Sequence, residues 1–526
     1  MFHIFNSQSK TIMSATFILA IAAIISRFLG FARNALLANY FGAGDIVDAY
    51  YASFQIPDFI FNTIVVGALS AGFIPIFTQY LHKDKDEAWK FANNLLNILA
   101  VFLGGVSLIL FFAAPWVVRL IVPGFSGEKL ELAIGLSRIM FLQPVFLGLS
   151  AVFGGILQSF KKFFIYSLAP LFYNLGIIFG IMVLAPFIGL SGLAWGVVLG
   201  AFLHWIIQVP AAFSSGFKYR FIFDFGSRGI KNIAILMVPR TLSLMVLQVN
   251  FLVIAIIASA LEEGSLAVFN FANDIQYLPI GVFAISLAIA AFPNLSSLKV
   301  EEKNGEFIET FAKTVRKILF FLIPSCFLIF ILRAQIVRII LGYGKFDWND
   351  TVAVIDALAF FAFGIVAHGL VPLLVRVFFA LRNTKVPLIA SAIAVFSNLI
   401  LAVSFSRLWG TAGLALALSI SAWIEVLALT IILKIKLGRI NGKIILRGAI
   451  SFISASFCAA AVSYFMLRFM DIFVDTRTVV GIFAQGAAAG MAGLAVYAMF
   501  VFLFRCEEIY VIKELILNRT VRMLKF

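Results

Sequence analysis

An all-α integral membrane protein is the fold class this sequence predicts, with about 14 transmembrane helices in two parallel six-helix repeats plus two C-terminal helices. Three observations lead there. Of 526 residues, 63% are hydrophobic and 12% charged, and the mean hydropathy is +1.07, so hydrocarbon rather than water must solvate most of the surface. Apolar windows of about 20 residues recur along the chain, and a helix satisfies its own backbone polar groups in lipid. An internal duplication at an offset of about 220 residues is the third. The period-two alternation of an outer-membrane barrel is absent.

The elements follow in order. Met1 to Lys10 carries one Lys and no small-residue cleavage site follows, so Thr11–Gly30 reads as a retained first helix rather than a removed signal peptide. Apolar runs then place helices at Phe59–Phe77, Phe91–Ala113, Leu132–Ser159, Ile165–Phe187 and Leu193–Phe213. A second set follows at Lys231–Ala260, Leu266–Leu295, Val315–Leu332, Val352–Leu381, Val386–Ser404 and Ala412–Ile435. Gly448–Leu467 and Val479–Phe504 complete the series. The expected organisation is a six-helix lobe over 1–220, a second over 221–440, two added helices over 441–504 and a cytoplasmic tail over 505–526. In that tail Ile509, Ile512, Ile516 and Leu517 can share one helical face, with Arg505, Lys513, Arg519, Arg522 and Lys525 near headgroup level. It lies on the inner leaflet or packs against cytoplasmic loops.

Charge sets the orientation. With the N-terminus inside, Lys434–Arg447 is a densely basic inner loop, whereas the outer Ile188–Ser191 and Leu261–Ser265 connections have no Lys or Arg. Both termini are expected in the cytoplasm. The net charge of +15 is spread over short loops, which suits anionic headgroups and no nucleic acid. Cys326, Cys458 and Cys506 are too few and too far apart for a disulfide framework or a metal site. His3, His82, His204 and His368 are scattered, and no nucleotide-binding Gly-Lys-Ser/Thr loop exists. No enzyme constellation emerges, so transport would run without direct ATP hydrolysis.

The duplication rests on ordered matches. Phe41-Gly42 corresponds to Glu263-Gly264, Ala71-Gly72-Phe73-Ile74-Pro75 to Ala290-Ala291-Phe292-Pro293, and Phe91-Ala92 to Phe311-Ala312. Val118-Arg119-Leu120-Ile121 likewise corresponds to Val337-Arg338-Ile339-Ile340, Lys162 to Lys385, and Asn174 to Asn398. Six helices per repeat leave the halves in the same orientation, an arrangement found in secondary transporters.

Charges inside apolar segments mark the candidate site. Each costs at least roughly 2.5–3.5 kcal/mol to insert, so it needs a protein-lined or watery surrounding. Arg27 and Arg33 lie about two turns apart, with Gly30 between them to loosen the helix, and can present guanidinium groups to a phosphate. The alternative is that they bond to Asp45 or Asp48 and hold the first two helices together. Arg138, Arg240, Asp274, Arg376 and Glu425 are further intramembrane charges. Asp274, with Asn270, Asn273 and Gln276, suggests an interior-facing eighth helix, and Pro57, Pro75, Pro279 and Pro293 are hinges or tolerated kinks.

Ser26-Arg27-Phe28-Leu29-Gly30-Phe31-Ala32-Arg33, Phe41-Gly42-Ala43-Gly44, Asp48-Ala49, Ile56-Pro57 and Gly67-Ala68-Leu69-Ser70-Ala71-Gly72-Phe73-Ile74-Pro75 together resemble the opening of the MurJ (MviN) lipid II flippases. The resemblance spans essentially the whole chain. Gly155-Ile156-Leu157 with Pro170 and Asn174, and Phe379-Ala380-Leu381-Arg382-Asn383-Thr384-Lys385-Val386-Pro387, carry it further. It implies the multidrug/oligosaccharidyl-lipid/polysaccharide exporter fold, two lobes, and added helices whose groove takes a polyprenyl tail. The implied function is alternating-access translocation of lipid II from the inner to the outer leaflet for cell-wall synthesis. Alternatives are export of another polyprenyl-linked oligosaccharide or small molecule, or a non-transporting scaffold. Implied partners are lipid II or a related undecaprenyl-diphosphate lipid, membrane lipids and the cell-wall synthesis machinery. No cofactor is implied, and coupling to membrane potential or a monovalent cation stays open. Where the family carries an arginine pair and then a Glu, this chain has Phe61, Asn62 and Val66, and the family's eighth-helix arginine falls on Asp274. Arg27 and Arg33 carry over as cavity cations, and Arg240 or Arg376 would replace the lost charge unless the substrate differs.

Overall fold

The computed structural model describes residues 12–68 and 72–508. The expected amphipathic face beyond Arg505 lies outside them. Among the described residues, 11 helices are long and apolar enough to cross a membrane. Three expected spans are not separate members of that set. Lys385–Leu437 runs as one 53-residue element but bends at Trp409 and Gly410, where Gly410 takes φ +54°, so it contains two rods as the apolar pattern requires. In the second span Asp45–Ile60 passes through a π-helical segment, Phe61–Val65, into Val66–Ala68, and beyond residues 69–71, which lie outside the description, Ile74–Lys83 is helical. Arg228–Ser259 forms one 32-residue helix, within which Leu244–Ser259 is a shorter apolar stretch among the described residues.

Several helices outrun their apolar windows. Lys85–Ile121 begins 6 residues before the expected Phe91 because Asp84 caps it, accepting from the Asp86 backbone N–H at 2.8 Å, with Asp86 and Glu87 in the first turn. Leu132–Ser159 proves to be two helices, Gly127–Met140 and Gln143–Ser159, the second with Pro144 in its first turn.

The duplication has a structural counterpart. Lys85–Ile121 and Asn304–Ile340 both have 37 residues, and the spans Gly127–Ser159 and Trp348–Ala380 both have 33. The π-helical segments Phe61–Val65 and Ile280–Ile285 also fall in corresponding places, after Pro57 and Pro279 respectively. Pro75 is the second residue of Ile74–Lys83, directly after the π-helical residues 72 and 73.

The chain packs as two units: residues 1–267 with 343–346, and residues 268–342 with 347–526. The packing boundary thus falls after Arg228–Ser259, whereas the sequence repeat divides near residue 220. In the first unit the core gathers around Phe73, Phe77, Phe91 and Phe153, with the Phe73 and Phe77 rings stacked at 5.3 Å. Lipid as solvent inverts the usual rule on Lys85–Ile121: Asn93, Asn94 and Asn97 are buried, while Phe112, Trp116 and Leu120 are 67–74% exposed. Those asparagines clamp the backbone of the distant loop that precedes Arg228–Ser259, Asn93 Nδ2 donating to Lys218 O at 3.0 Å and Asn94 Nδ2 to Asp224 O at 2.7 Å. Phe163–Phe179 and Ser191–Ile206 meet through glycines. A Cβ on Gly176 would lie 2.3 Å from Gly200 Cα, and one on Gly180 2.4 Å from Gly196 Cα.

In the second unit the core surrounds Phe307, Phe311, Phe320 and Phe378. The two added helices, Gly442–Met470 and Val479–Leu503, pack on Asn304–Ile340. Tyr497 Oη donates to Phe320 O at 2.7 Å, and Ser463 Oγ to Ala489 O at 2.9 Å.

Candidate functional site

Within the first unit the helices leave a cavity of about 730 Å³. One wall is the first helix, Ile12–Phe41, which contributes Ser26 and Arg27. Phe61, at the start of the π-helical segment, forms part of another. Widening that segment changes the hydrogen-bond ladder, and Thr241 Oγ1 takes up the carbonyl of Thr63 at 3.2 Å. Gln143–Ser159 contributes Ser150 and Gln158, Phe163–Phe179 contributes Tyr166, and His204 and Gln208 close the far side.

Arg27 is the charged group of this lining among the described residues. Phe61 stands there where the resemblance led us to expect a cation. Arg33 is not in the lining. Six residues on a helix rotate the side chain through about 240° relative to Arg27, so the two guanidinium groups leave different sides of the rod. Arg33 Nε and Nη2 donate to Asn34 Oδ1 at 3.1 and 3.0 Å, and the group acts electrostatically on Asp58 and Tyr50. Asp58 Oδ1 accepts from Gln143 Nε2 at 3.0 Å. This is a second polar cluster on the same unit.

The first helix runs unbroken through Gly30. A Cβ on Gly30 would make only an ordinary van der Waals contact, with Asn174 Oδ1 at 4.0 Å. Asn174 Nδ2 lies 3.3 Å from Ser26 Oγ and 3.1 Å from Pro170 O, tying the fifth span to the Arg27 turn.

Asp48 is 1% exposed and holds a connection together. Lys129 Nζ donates to it at 2.7 Å and bonds Asp45 at 2.6 Å. The Gly264 and Ala267 backbone N–H groups donate to the Asp48 carboxylate at 2.9 and 2.8 Å. The cation that meets Asp45 and Asp48 is therefore Lys129, a residue the sequence reading passed over.

Arg240 lies on Arg228–Ser259, with its side chain outside the description. Arg376 and Asp274 belong to the second unit. Arg376 is half-buried on Trp348–Ala380 and Nη1 donates to Pro372 O at 2.9 Å, one turn back on its own helix. Asp274 is half-buried on Ser265–Pro279, beside Gln276, whose Nε2 donates to Asn273 Oδ1 at 3.0 Å. Buried Glu425 accepts from Ser391 Oγ at 2.6 Å.

Sequence reasoning missed Ser150, His204 and Gln208. Ser150 Oγ is 2.6 Å from His204 Nδ1 and accepts from Gln208 Nε2 at 2.6 Å. Isolated uncharged polar residues in apolar runs were the available signal. Among the described residues no group of three His, Cys, Asp or Glu could hold a metal.

A cationic and hydroxyl-lined cavity within an all-helical membrane unit is suited to an amphiphile with an anionic, polar head. Comparisons with known proteins agree with that chemistry. The family model described as lipid II flippase MurJ matches residues 37–485. A probable lipid II flippase MurJ of Vibrio cholerae serotype O1 is 28% identical over 430 residues, covering 79% of this chain and 82% of that protein. The lipid II flippase MurJ of Burkholderia cenocepacia is 29% identical over 420 residues, covering 77% and 80%. A solved structure of lipid II flippase MurJ in an inward closed conformation aligns with a TM-score of 0.78 at 27% identity, covering 93% of this chain and 98% of that one. An inward-facing multidrug resistance MATE family transporter of the MOP superfamily shares the fold, with a TM-score of 0.70 at 17% identity over 81% of this chain and 98% of the transporter.

Proposed function

The chain belongs to the lipid II flippase MurJ family, and from that premise we propose that it translocates lipid II across the bacterial cytoplasmic membrane by alternating access. The observation that carries the reading is Arg27 on the wall of the 730 Å³ cavity. A diphosphate-linked sugar cannot cross hydrocarbon unaided because its charges and hydroxyls would lose their solvation. Arg27 replaces water for the diphosphate with charge-assisted hydrogen bonds, while the polyprenyl tail remains in lipid. The headgroup enters from the cytoplasmic side, where both termini lie, and leaves when the cavity opens outward. Arg33, outside the lining and interacting with Asp58, is a charge to test beside Arg27, and Arg240 and Arg376 are the second set of cations to test. Membrane potential supplies a directional bias, or a monovalent cation does.

The test is lipid II translocation in proteoliposomes. Arg27→Ala should lower the initial rate at least tenfold, with Arg27→Lys intermediate because the point charge stays and the bidentate geometry goes. Full activity in Arg27→Ala would remove the cavity arginine from the mechanism.

A further inference from the structure

We propose that residues 218–225, in the connection before Arg228–Ser259, are a membrane anchor whose aromatic side chains enter the headgroup region of a bilayer containing acidic lipid. The inference is independent of the cavity and of the substrate.

The segment is strapped to Lys85–Ile121 by the side chains of Asn93, Asn94 and Asn97, all buried. Asn93 Oδ1 accepts from Arg220 N at 2.9 Å, and Asn97 Nδ2 donates to Arg220 O and Ile222 O at 3.2 and 3.0 Å. Asn94 Oδ1 accepts from Asp224 N at 2.7 Å. With the even-numbered backbone groups held this way, the odd-numbered side chains turn outward: Tyr219, Phe221, Phe223 and Phe225 are 42–75% exposed. The Phe221 and Phe223 rings stack 6.4 Å apart, the spacing of alternate residues on an extended chain, and Phe223 meets Phe225 edge-on at 5.0 Å. Three touching, exposed rings form a patch of the kind that marks an interaction surface.

The height of the strap selects lipid as its partner. Asn97 lies one turn before Val101 on the same face of the helix, a rise of about 6 Å, and Val101 is 56% exposed within an apolar span. Lipid-exposed surface therefore begins where the strap ends. Phe221, the most exposed of the four aromatics, sits between the two carbonyls that Asn97 holds, at the crest nearest the hydrocarbon. Arg220 runs the other way: its Nη1 meets Asp86 Oδ1 at 2.7 Å in the first turn of the helix, the snorkelling expected of a cation at this boundary. From 218 to 231 the chain has four basic residues, Lys218, Arg220, Arg228 and Lys231, against Asp224 alone, a balance complementary to anionic headgroups.

The experiment replaces Phe221, Phe223 or, as the water-side control, exposed Lys85 with photoreactive p-benzoylphenylalanine in the full chain, one position at a time. The protein is illuminated in vesicles of phosphatidylethanolamine and phosphatidylglycerol, and adducts are identified by mass spectrometry. Each replacement puts an aromatic side chain at an exposed position, so the fold is not challenged. Phospholipid adducts should form at 221 and 223 at several times the yield at 85, with phosphatidylglycerol enriched about twofold or more over its share of the vesicle. Lys218→Gln/Lys231→Gln should lower that enrichment and leave the total lipid yield unchanged. Yields at 221 and 223 no higher than at 85, adducts to a second copy of the chain instead of lipid, or lipid adducts without phosphatidylglycerol enrichment would overturn the anchor.

Discussion

Asp48 sits 1% exposed against Lys129 at 2.7 Å, two charges that each need the other. Removing one partner of a buried pair leaves an uncompensated charge, which costs about 3–5 kcal/mol. Lys129→Met should therefore lower the melting temperature measured in detergent by several degrees, and Asp48→Asn on that background should recover part of it. A Lys129→Met protein that melts like wild type would show that the backbone donors of Gly264 and Ala267 suffice. The same residue shows where legibility ends. Arg27 was readable because a cation inside an apolar run is conspicuous. Lys129 was not, because it sits outside the windows that drew attention, and its partner is 81 residues away. The Ser150, His204 and Gln208 group was hidden for a related reason, since separations of 54 and 58 residues close only when helices pack.

At the scale of elements, glycine spacing decides how near two helices come. Gly176 and Gly180 on one span, and Gly192, Gly196 and Gly200 on the next, recur every four residues and so share a face. A Cβ on Gly196 would lie 2.5 Å from Gly180 Cα, closer than atoms can pack. Gly196→Ala should destabilise the protein by about 1–3 kcal/mol, read as a lower melting temperature. Gly105→Ala is the control: a Cβ there meets nothing within 4 Å, and the change should be neutral or stabilising by up to about 1 kcal/mol. Equal behaviour of the two variants would mean that this helix pair relaxes freely. Helix ends were less legible than helix middles. Apolar windows locate the hydrocarbon-embedded part, whereas Lys85–Ile121 starts at a polar cap that the windows exclude.

For the whole molecule, the relevant quantity is charge moved across the bilayer. An anionic headgroup moving outward through a membrane negative inside gains roughly 2.3 kcal/mol per charge per 100 mV. Outward translocation in proteoliposomes should fall several-fold when an ionophore clamps the potential to zero, and recover when the potential is restored. Exchange of the monovalent cation at constant potential separates the two candidate driving forces. A rate indifferent to both would place the bias elsewhere, in removal of product on the far side.

Composition and apolar periodicity alone determined that this is a polytopic helical membrane protein with an internal duplication, because each span must satisfy its own backbone in lipid and each copy keeps its landmarks in order. They also marked Arg27, since an intramembrane cation has few places to go. Tertiary structure decided the rest: that Arg27 lines a cavity and Arg33 does not, that Lys129 answers Asp48, and that Gln208 and His204 meet at Ser150. Those outcomes depend on which helix faces meet, and facing is set by packing between distant segments rather than by any local stretch of chain.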